Sequence, residues 1–584
     1  MDGHDSMCGI FGYVKEDAFN GTLKCMGYAM KFRGPDAKGY HKYNDVNMGY
    51  VRLSIIDVKH GNQPFISASG HIVVFQNGEI YNFKELQSQL AALGRICTTQ
   101  CDTEVLLQGY LAWGWSGLLE KIDGMFAISI LDKEKNKLFI ARDRFGEKPL
   151  YYFNDPDSFV YSSNLKAMKE CDWLKFELCP ISMQYYLFLH YIPWENTIFK
   201  NIHKLLPGYY LEYDLATKTL TNKQYYSLPC VDPIVPDVDY LDNLFAEEFL
   251  KRNYADVPVG VFLSGGLDSS LLTYYLRKHN QSVATFSIGF DDSQLDESRY
   301  SDHVAKILST NHHHYIFTEN LFSTLLDELS EQLDEPLGDP ALLPTYFLSL
   351  QASKHAKVVL SGEGADEIFG GYAYYRQAQM NQSRLLLPNH TTPSGFPLVA
   401  AKSNVHGIIN NLSEDLILNE EKFIQQYRKY TCPLDAALYT DMTTWLPDNL
   451  LVKLDRATMA ASIEGRAPYL SRKIVEYGLS IKDTYKIDGV RNKKILQDIA
   501  QRYLPENIVH RPKQGFVLPM KSWLSNYLQK INIVEYLFEL DVPGLNVEAL
   551  GMLLVESKLH GVVNTRFTFS LIMLLKWYEK FMSK

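Results

Sequence analysis

Apolar residues come in short runs over the first ~200 positions. GIFGYV (9–14), HIVVFQNGEIYN (71–82) and MFAISILDKEKNKLFIARD (125–143) are apolar stretches broken by Gly, Asn or Asp, the pattern of strands between turns. DKEKNK within the third predicts a hairpin turn. NFKELQSQLAAL (82–93) and TEVLLQGYLAWG (103–114) instead repeat apolar positions every three or four residues and predict helices. Strands with helices among them predict an α+β sandwich. SLPCVDPIVPDVDY (227–240) carries three prolines and reads as a linker. Beyond it the pattern changes. PVGVFLS (258–264), SVATFSIGF (282–290) and the start of AKVVLSGEGADE (356–367) are buried-type strands, with helical SSLLTYYLRKHN (269–280) and SRYSDHVAKILST (298–310) between them. This alternation predicts a parallel sheet covered by helices. The last ~150 residues have a mainly helical pattern. No internal repeat or low-complexity tract interrupts the chain.

Composition narrows the classes. The 584 residues carry 58 Lys+Arg against 68 Asp+Glu, a net charge of −10. Mild acidity disfavours a nucleic-acid binder. It permits ATP, because backbone N–H groups hold phosphates without net positive charge. Eight cysteines, at 8, 25, 97, 101, 171, 179, 230 and 432, are sparse and aperiodic, so a reducing, cytoplasmic setting is expected rather than a disulfide framework. Cys97 and Cys101 lack the second pair that a zinc site needs. No stretch approaches the ~18 apolar residues that span a bilayer, and the first residues lack a secretory pattern.

Ser264-Gly265-Gly266-Leu267-Asp268-Ser269-Ser270 follows a predicted strand and opens a helix. Its glycines let the backbone approach an anion, the helix N-terminus offers unpaired N–H groups, and Asp268 is a candidate Mg²⁺ ligand. Read alone it is a turn with a serine cap. The SGGxDS string is not a Walker loop and matches the pyrophosphate loop of the ATP pyrophosphatases. A second turn, Ser361-Gly362-Glu363-Gly364-Ala365-Asp366-Glu367, also follows a strand. Both turns fall at the ligand-binding edge of a parallel sheet, where Asp268 and Asp366 would share Mg²⁺ on ATP phosphates.

Cys8 lies in Met7-Cys8-Gly9-Ile10-Phe11. Such a cysteine is ordinarily a small buried residue. At a mature N-terminus, however, its own α-amine, with a pKa of about 8, serves as base for the thiol. Translation from Met7, or removal of residues 1–7 as a tag or propeptide, would create that terminus. Arg52 offers a planar fork for an α-carboxylate. Asn77 and Gly78 offer an oxyanion hole, and Asp102 a partner for an α-ammonium. Singly, Asn77-Gly78 reads as a turn, and Arg52 and Asp102 as surface charges. His312-His313-His314 reads as a solvated loop rather than a metal tract.

MCGIFGYV, RGPD (33–36), RLSIID (52–57), NGEIYN (77–82), ARDRFGEKPLYY (141–152), DVPVGVFLSGGLDSS (256–270), FSIGF (286–290), DEPLGDPALLPTY (334–346), VVLSGEGADEIFGGY (358–372), DNLLVKLDRATMA (448–460) and KQGF (513–516) occur in order. From Cys8 to about Trp523 the chain resembles the glutamine-hydrolysing asparagine synthetases, of the asparagine synthetase B type. The resemblance implies an N-terminal-nucleophile, class II glutamine amidotransferase domain over 8–215, a linker over 216–240, and an α/β ATP-pyrophosphatase-type synthetase domain with a helical C-terminal part over 241–584. It implies Cys8 as nucleophile, with Arg52, Leu53, Ser54, Ile55, Ile56, Asn77, Gly78, Glu79 and Asp102 around glutamine. Leu263, Ile288, Ser361 and Gly362 would surround adenine and ribose. Ser264, Gly265, Gly266, Asp268, Ser269 and Ser270 would hold pyrophosphate. Glu363 would serve formation of the acyl-adenylate, and Lys493 would contact phosphate. The implied reaction converts aspartate, glutamine and ATP to asparagine, glutamate, AMP and pyrophosphate through β-aspartyl-AMP and channelled ammonia, with Mg²⁺. Partners are small molecules, with no nucleic acid or membrane, and a homodimer is left open.

Four positions depart from the family pattern: Phe32 for His, Asn164 for Glu in the SEIKAL stretch, Ser471 for the Asp closing Glu-x-Arg-x-Pro-Phe-Leu-Asp, and Gln497 for Arg. Asn164, Ser471 and Gln497 are expected to bear on the acceptor pocket or domain contacts. A second reading therefore keeps the chemistry and changes the acceptor to another carboxylate, such as a uronic acid in a surface polysaccharide. A degenerate sensor would show damaged motifs, and both sites are intact.

Overall fold

The computed structural model describes residues 8–582 apart from 17, 20, 35, 231, 280–281, 293–294, 381–404, 406, 410–431 and 512–517. Pro35 of RGPD, the KQGF string, the side chain of Phe32 and residues 1–7 lie outside the described residues. Among the described residues seventeen strands form three sheets. The first twelve are β1 (Gly9–Val14), β2 (Ala37–Tyr43), β3 (Val46–Arg52), β4 (Phe65–Ile66), β5 (Ile72–Ile80), β6 (Gly124–Asp132), β7 (Lys137–Arg142), β8 (Tyr151–Asn154), β9 (Phe159–Ser162), β10 (His203–Lys204), β11 (Tyr209–Asp214) and β12 (Thr219–Gln224). They make two antiparallel sheets, ordered β10-β8-β9-β1-β3-β2 and β12-β11-β7-β6-β5-β4. Alternation along the strands places Ile10, Met48 and Tyr50 of one sheet against Val73, Phe75 and Ile140 of the other. Opposite faces carry Phe11 and Val51, or Val74 and Ile128, toward the helices Thr22–Ala29 and Asp102–Lys121. The expected α+β sandwich is present. The predicted hairpin joins β6 to β7, with Asn136 at φ +53° in its turn. β12 pairs with β11, so this sheet takes in residues that the sequence reading gave to the linker.

The remaining strands, β13 (Val259–Phe262), β14 (Ala284–Phe290), β15 (Asn311–Phe317), β16 (Val358–Leu360) and β17 (Glu464–Arg466), form a parallel sheet ordered β15-β14-β13-β16-β17. Helices Leu267–His279 and Leu342–Ala352 cover it. His312-His313-His314 is edge strand β15 rather than a loop. Pairing to β14 satisfies its backbone, Thr285 and Ser287 hydroxyls meet His312 at 2.8 and 3.0 Å, and apolar Tyr315, Ile316 and Phe317 follow. β17 lies in the stretch read as helical; it is three residues long, too short for a period to show. Among the described residues no helix is long and apolar enough to cross a membrane.

The two sheet systems meet on the helix Leu451–Ala460. Arg33 donates from Nη1 and Nη2 to Asp455 at 3.1 and 3.3 Å, and both side chains are buried. Lys148 stands 4.0 Å from Asp455, and Arg456 bonds the Tyr151 hydroxyl at 2.9 Å. Against the effect of burial, Arg33, Lys148 and Arg456 hold the Asp455 carboxyl below the usual carboxylate range. Asp455→Leu should therefore lower stability by about 3–5 kcal/mol, because it strands buried cations; chemical denaturation of the two proteins measures it, and an unchanged midpoint contradicts it. The contribution is intact above about pH 4, the unfolded carboxylate value, and is lost as pH falls through the lower folded value.

Candidate functional site

One centre lies at the start of β1. The half-buried Cys8 thiol donates to the Leu53 carbonyl at 3.4 Å and its sulfur accepts from the Leu53 N–H at 3.3 Å. Burial, with the Glu464 carboxylate adding to it, pushes the thiol up to about 12. Leu53, Ser54, Ile55 and Ile56 leave β3 beside it, and this segment is pinned from the second sheet system. The Asp57 N–H donates to Asp256 Oδ2 at 2.8 Å and the Asp256 N–H to the Ile55 carbonyl at 3.0 Å. Asn77 and Gly78 are not a turn: they lie inside β5, opposite Ala127 and Phe126. Asn77 Nδ2 donates to Ser163 Oγ at 3.1 Å, and that oxygen also accepts from the Ile10 N–H at 3.3 Å. Gly78 sits at φ +125°, and a Cβ there would lie 2.0 Å from the Met125 carbonyl oxygen.

Arg52 and Asp102 are buried, not surface charges, each 4% exposed. The Arg52 fork points into its own loop, donating to the carbonyls of Ile56 at 2.8 Å and Asp57 at 3.0 Å and to Asn62 Oδ1 at 3.0 Å. Asp102 Oδ2 accepts from Gln76 Nε2 and the Ile80 N–H, both at 2.8 Å. Burial raises its carboxyl. Burial, reinforced by Asp102 and Glu464, holds Glu79 well above the usual range, with Arg466 at 3.7 Å opposing. Glu79 and Asp102 thus form a pair of interacting buried carboxyls, while the Arg52 guanidinium is satisfied by its own loop.

The second centre is at the carboxyl edge of β13 and β16, where ligands bind in parallel sheets. Leu263, just past β13, and Ile288, within β14, are buried, and the Leu263 N–H donates to the Phe286 carbonyl at 2.8 Å. Gly265, at φ +68°, turns the chain between strand and helix. Ser264 Oγ lies 3.0 Å from Ser269 Oγ and accepts from the Gly266 N–H at 3.3 Å. Ser270 is fully buried in the first turn. The second loop packs on the first: a Cβ on Gly362 would lie 3.1 Å from Asp268 Cβ. The Ser361 N–H donates to the Arg466 carbonyl at 2.9 Å. Lys493, at φ +52°, sets its Nζ 2.7 Å from Asp268 Oδ2 and 2.6 Å from Asp366 Oδ1. The two aspartates therefore converge on one cation position, and hard oxygen donors beside a loop of N–H groups fit Mg²⁺ carried in on phosphates. Among the described residues no larger cluster of metal-ligating side chains occurs.

Three of the departures fall in different places. Asn164 caps the helix Leu165–Lys169, accepting from the Lys166 N–H at 2.9 Å. Ser471 donates to Glu248 Oε2 at 2.6 Å, beside the buried Glu248–Arg252 pair. Gln497 donates to the Asn492 carbonyl at 3.1 Å, behind Lys493. Sequence reasoning assigned no role to Lys453, Arg33, Asp455, Arg466 or Ser163. All five sit in strings that it quoted, but nothing local names their partners.

The family model described as "Glutamine amidotransferase domain" matches residues 7–226, and that described as "Asparagine synthase" matches residues 241–558. The chain is 31% identical to "Asparagine synthetase [glutamine-hydrolyzing] 1" of Bacillus subtilis, over 90% of this chain and 89% of that one. It is 34% identical to "Putative asparagine synthetase [glutamine-hydrolyzing] 2" of Methanocaldococcus jannaschii, over 78% and 98%. A glutamine phosphoribosylpyrophosphate amidotransferase of B. subtilis, solved with ADP and GMP, aligns with 53% of this chain and 65% of that one at 16% identity and a TM-score of 0.29, too low to bear on the fold. With a family match over more than half its length, and relatives alike across both sheet systems, the chain belongs to the glutamine-hydrolysing asparagine synthetase family.

Proposed function

We propose that the protein converts L-aspartate, L-glutamine and ATP to L-asparagine, L-glutamate, AMP and pyrophosphate. The observation that carries this reading is one chain holding both a thiol between main-chain groups and a glycine–serine loop facing two aspartates and a lysine. In the amidotransferase domain the Cys8 sulfur attacks the glutamine amide carbon. A free α-amine on Cys8 takes the thiol proton and returns one to the departing nitrogen. Asn77 Nδ2 and the Gly78 N–H stabilise the oxyanion. Arg52 and the Glu79–Asp102 pair hold the amino-acid head. Water then hydrolyses the thioester to glutamate.

In the domain over 241–584, Leu263, Ile288, Ser361 and Gly362 hold the adenosine. The loop 264–270 and Lys493 hold the phosphates while the aspartate β-carboxylate attacks the α-phosphorus. Asp268 and Asp366 are the residues that would hold Mg²⁺, which neutralises phosphate charge when bound. Glu363 borders the acyl-adenylate. Ammonia passing between the domains displaces AMP, and enclosure keeps it from protonation and the adenylate from water. An acceptor panel tests the reading. AMP and asparagine should form together from aspartate, and AMP release only with a sugar acid would overturn the aspartate assignment.

A further inference from the structure

Glu363 is held from outside its own loop. Its carboxylate, about one-fifth exposed, lies 3.3 Å from Lys453 Nζ on the helix Leu451–Ala460. Lys453 is buried, and its Nζ also stands 3.8 Å from Asp339. Asp339 in turn accepts from Asn449 Nδ2 at 2.9 Å and the Ala341 N–H at 2.9 Å. Against the effect of burial, Lys453 and His190 hold the Asp339 carboxyl below the usual range. The helix is entered through π-helical residues Leu446–Leu450, which set Asn449 and Lys453 one above the other on Asp339. Asp455, two residues on, is rotated about 200° around the helix and faces Arg33, whose Nε donates to the Cys8 carbonyl at 3.3 Å. One face of this helix therefore meets the synthetase loops and the other the glutaminase.

We propose that Lys453 is a positioning residue of the synthesis half-reaction, fixing the Glu363 carboxylate at the edge of the acyl-adenylate site. This rests on the role given to Glu363 above. Gly364, at φ +92°, bends the chain directly after Glu363, and the ammonium that meets the carboxylate comes from the helix Leu451–Ala460 of the same domain. Asp339 acts one step further out, by holding Lys453.

The test uses the full chain with ammonia as nitrogen source. Lys453→Met should lower kcat for asparagine synthesis about 100-fold, the scale of a misplaced reacting group, with the KM for ATP changed less than about threefold and glutamine hydrolysis less than about twofold. Lys453→Arg, which restores a cation, should recover at least about tenfold of the loss. Asp339→Asn should show the same split at about tenfold, and it serves as the decisive variant if Lys453→Met does not fold. Wild-type kcat in Lys453→Met or Asp339→Asn, no gain from arginine, or a parallel fall in glutamine hydrolysis would each overturn the proposal. Glu363→Gln separates the two levels. If it retains full synthesis, the role of Glu363 is wrong and the proposal falls with it. If it loses synthesis while Lys453→Met does not, the positioning claim alone is wrong.

Discussion

Cys8→Ala should abolish glutamine hydrolysis and glutamine-dependent synthesis, and leave ammonia-dependent synthesis near the wild-type rate. The sulfur is the only nucleophile the change removes. Its hydrogen bonds are with the Leu53 main chain, so alanine costs about 1 kcal/mol and does not disturb the fold. The second centre depends on the loops 264–270 and 361–367 and on Lys493, none of which touches Cys8. Ammonia supplied in solution bypasses the thioester. Parallel assays of glutamate release and of asparagine formation from ammonium decide it, and loss of both activities would contradict two separable centres.

Asp268→Asn is expected to lower ATP-dependent synthesis by about 100-fold, the usual scale for deleting one preorganised electrostatic group, while glutamine hydrolysis persists. Asparagine keeps the shape and removes the charge. In the protein, Asp268 and Asp366 share the Lys493 ammonium, and the Tyr469 hydroxyl donates to the Asp268 carbonyl at 3.0 Å. The carboxylate oxygens thus carry the effect, and the main-chain anchor survives. Losing one charge leaves Lys493 drawn to Asp366 alone and halves the negative charge offered to a cation. Turnover measured across a Mg²⁺ series reads both effects. An unchanged rate at all concentrations removes Asp268 from the site.

Much of this could be read along the chain, because the signals are local. Short apolar runs broken by Gly or Asn in GIFGYV and HIVVFQNGEIYN specify β1 and β5. The SGGLDSS string specifies a strand-to-helix loop because Gly265 alone there takes positive φ cheaply. Other readings failed where context outweighed composition. Asn77-Gly78 has turn chemistry yet lies in β5, since pairing to β6 satisfies its backbone on the sheet. His312-His313-His314 has the polarity of a loop yet forms β15, since β14 presents an open edge.

The sequence by itself determined the two kinds of sheet, the order of the motifs and the chemical types at each centre, all set by interactions within a few residues. Only the tertiary structure decided that Arg33 meets Asp455 across 422 positions, that Lys493 stands between Asp268 and Asp366, that Lys453 braces Glu363 and that the Arg52 fork turns into its own loop. The reason is physical. A charged side chain carries the same propensity whichever partner it finds, and which partner it finds depends on how packed layers bring distant segments together, where burial makes an unmatched charge too costly to persist.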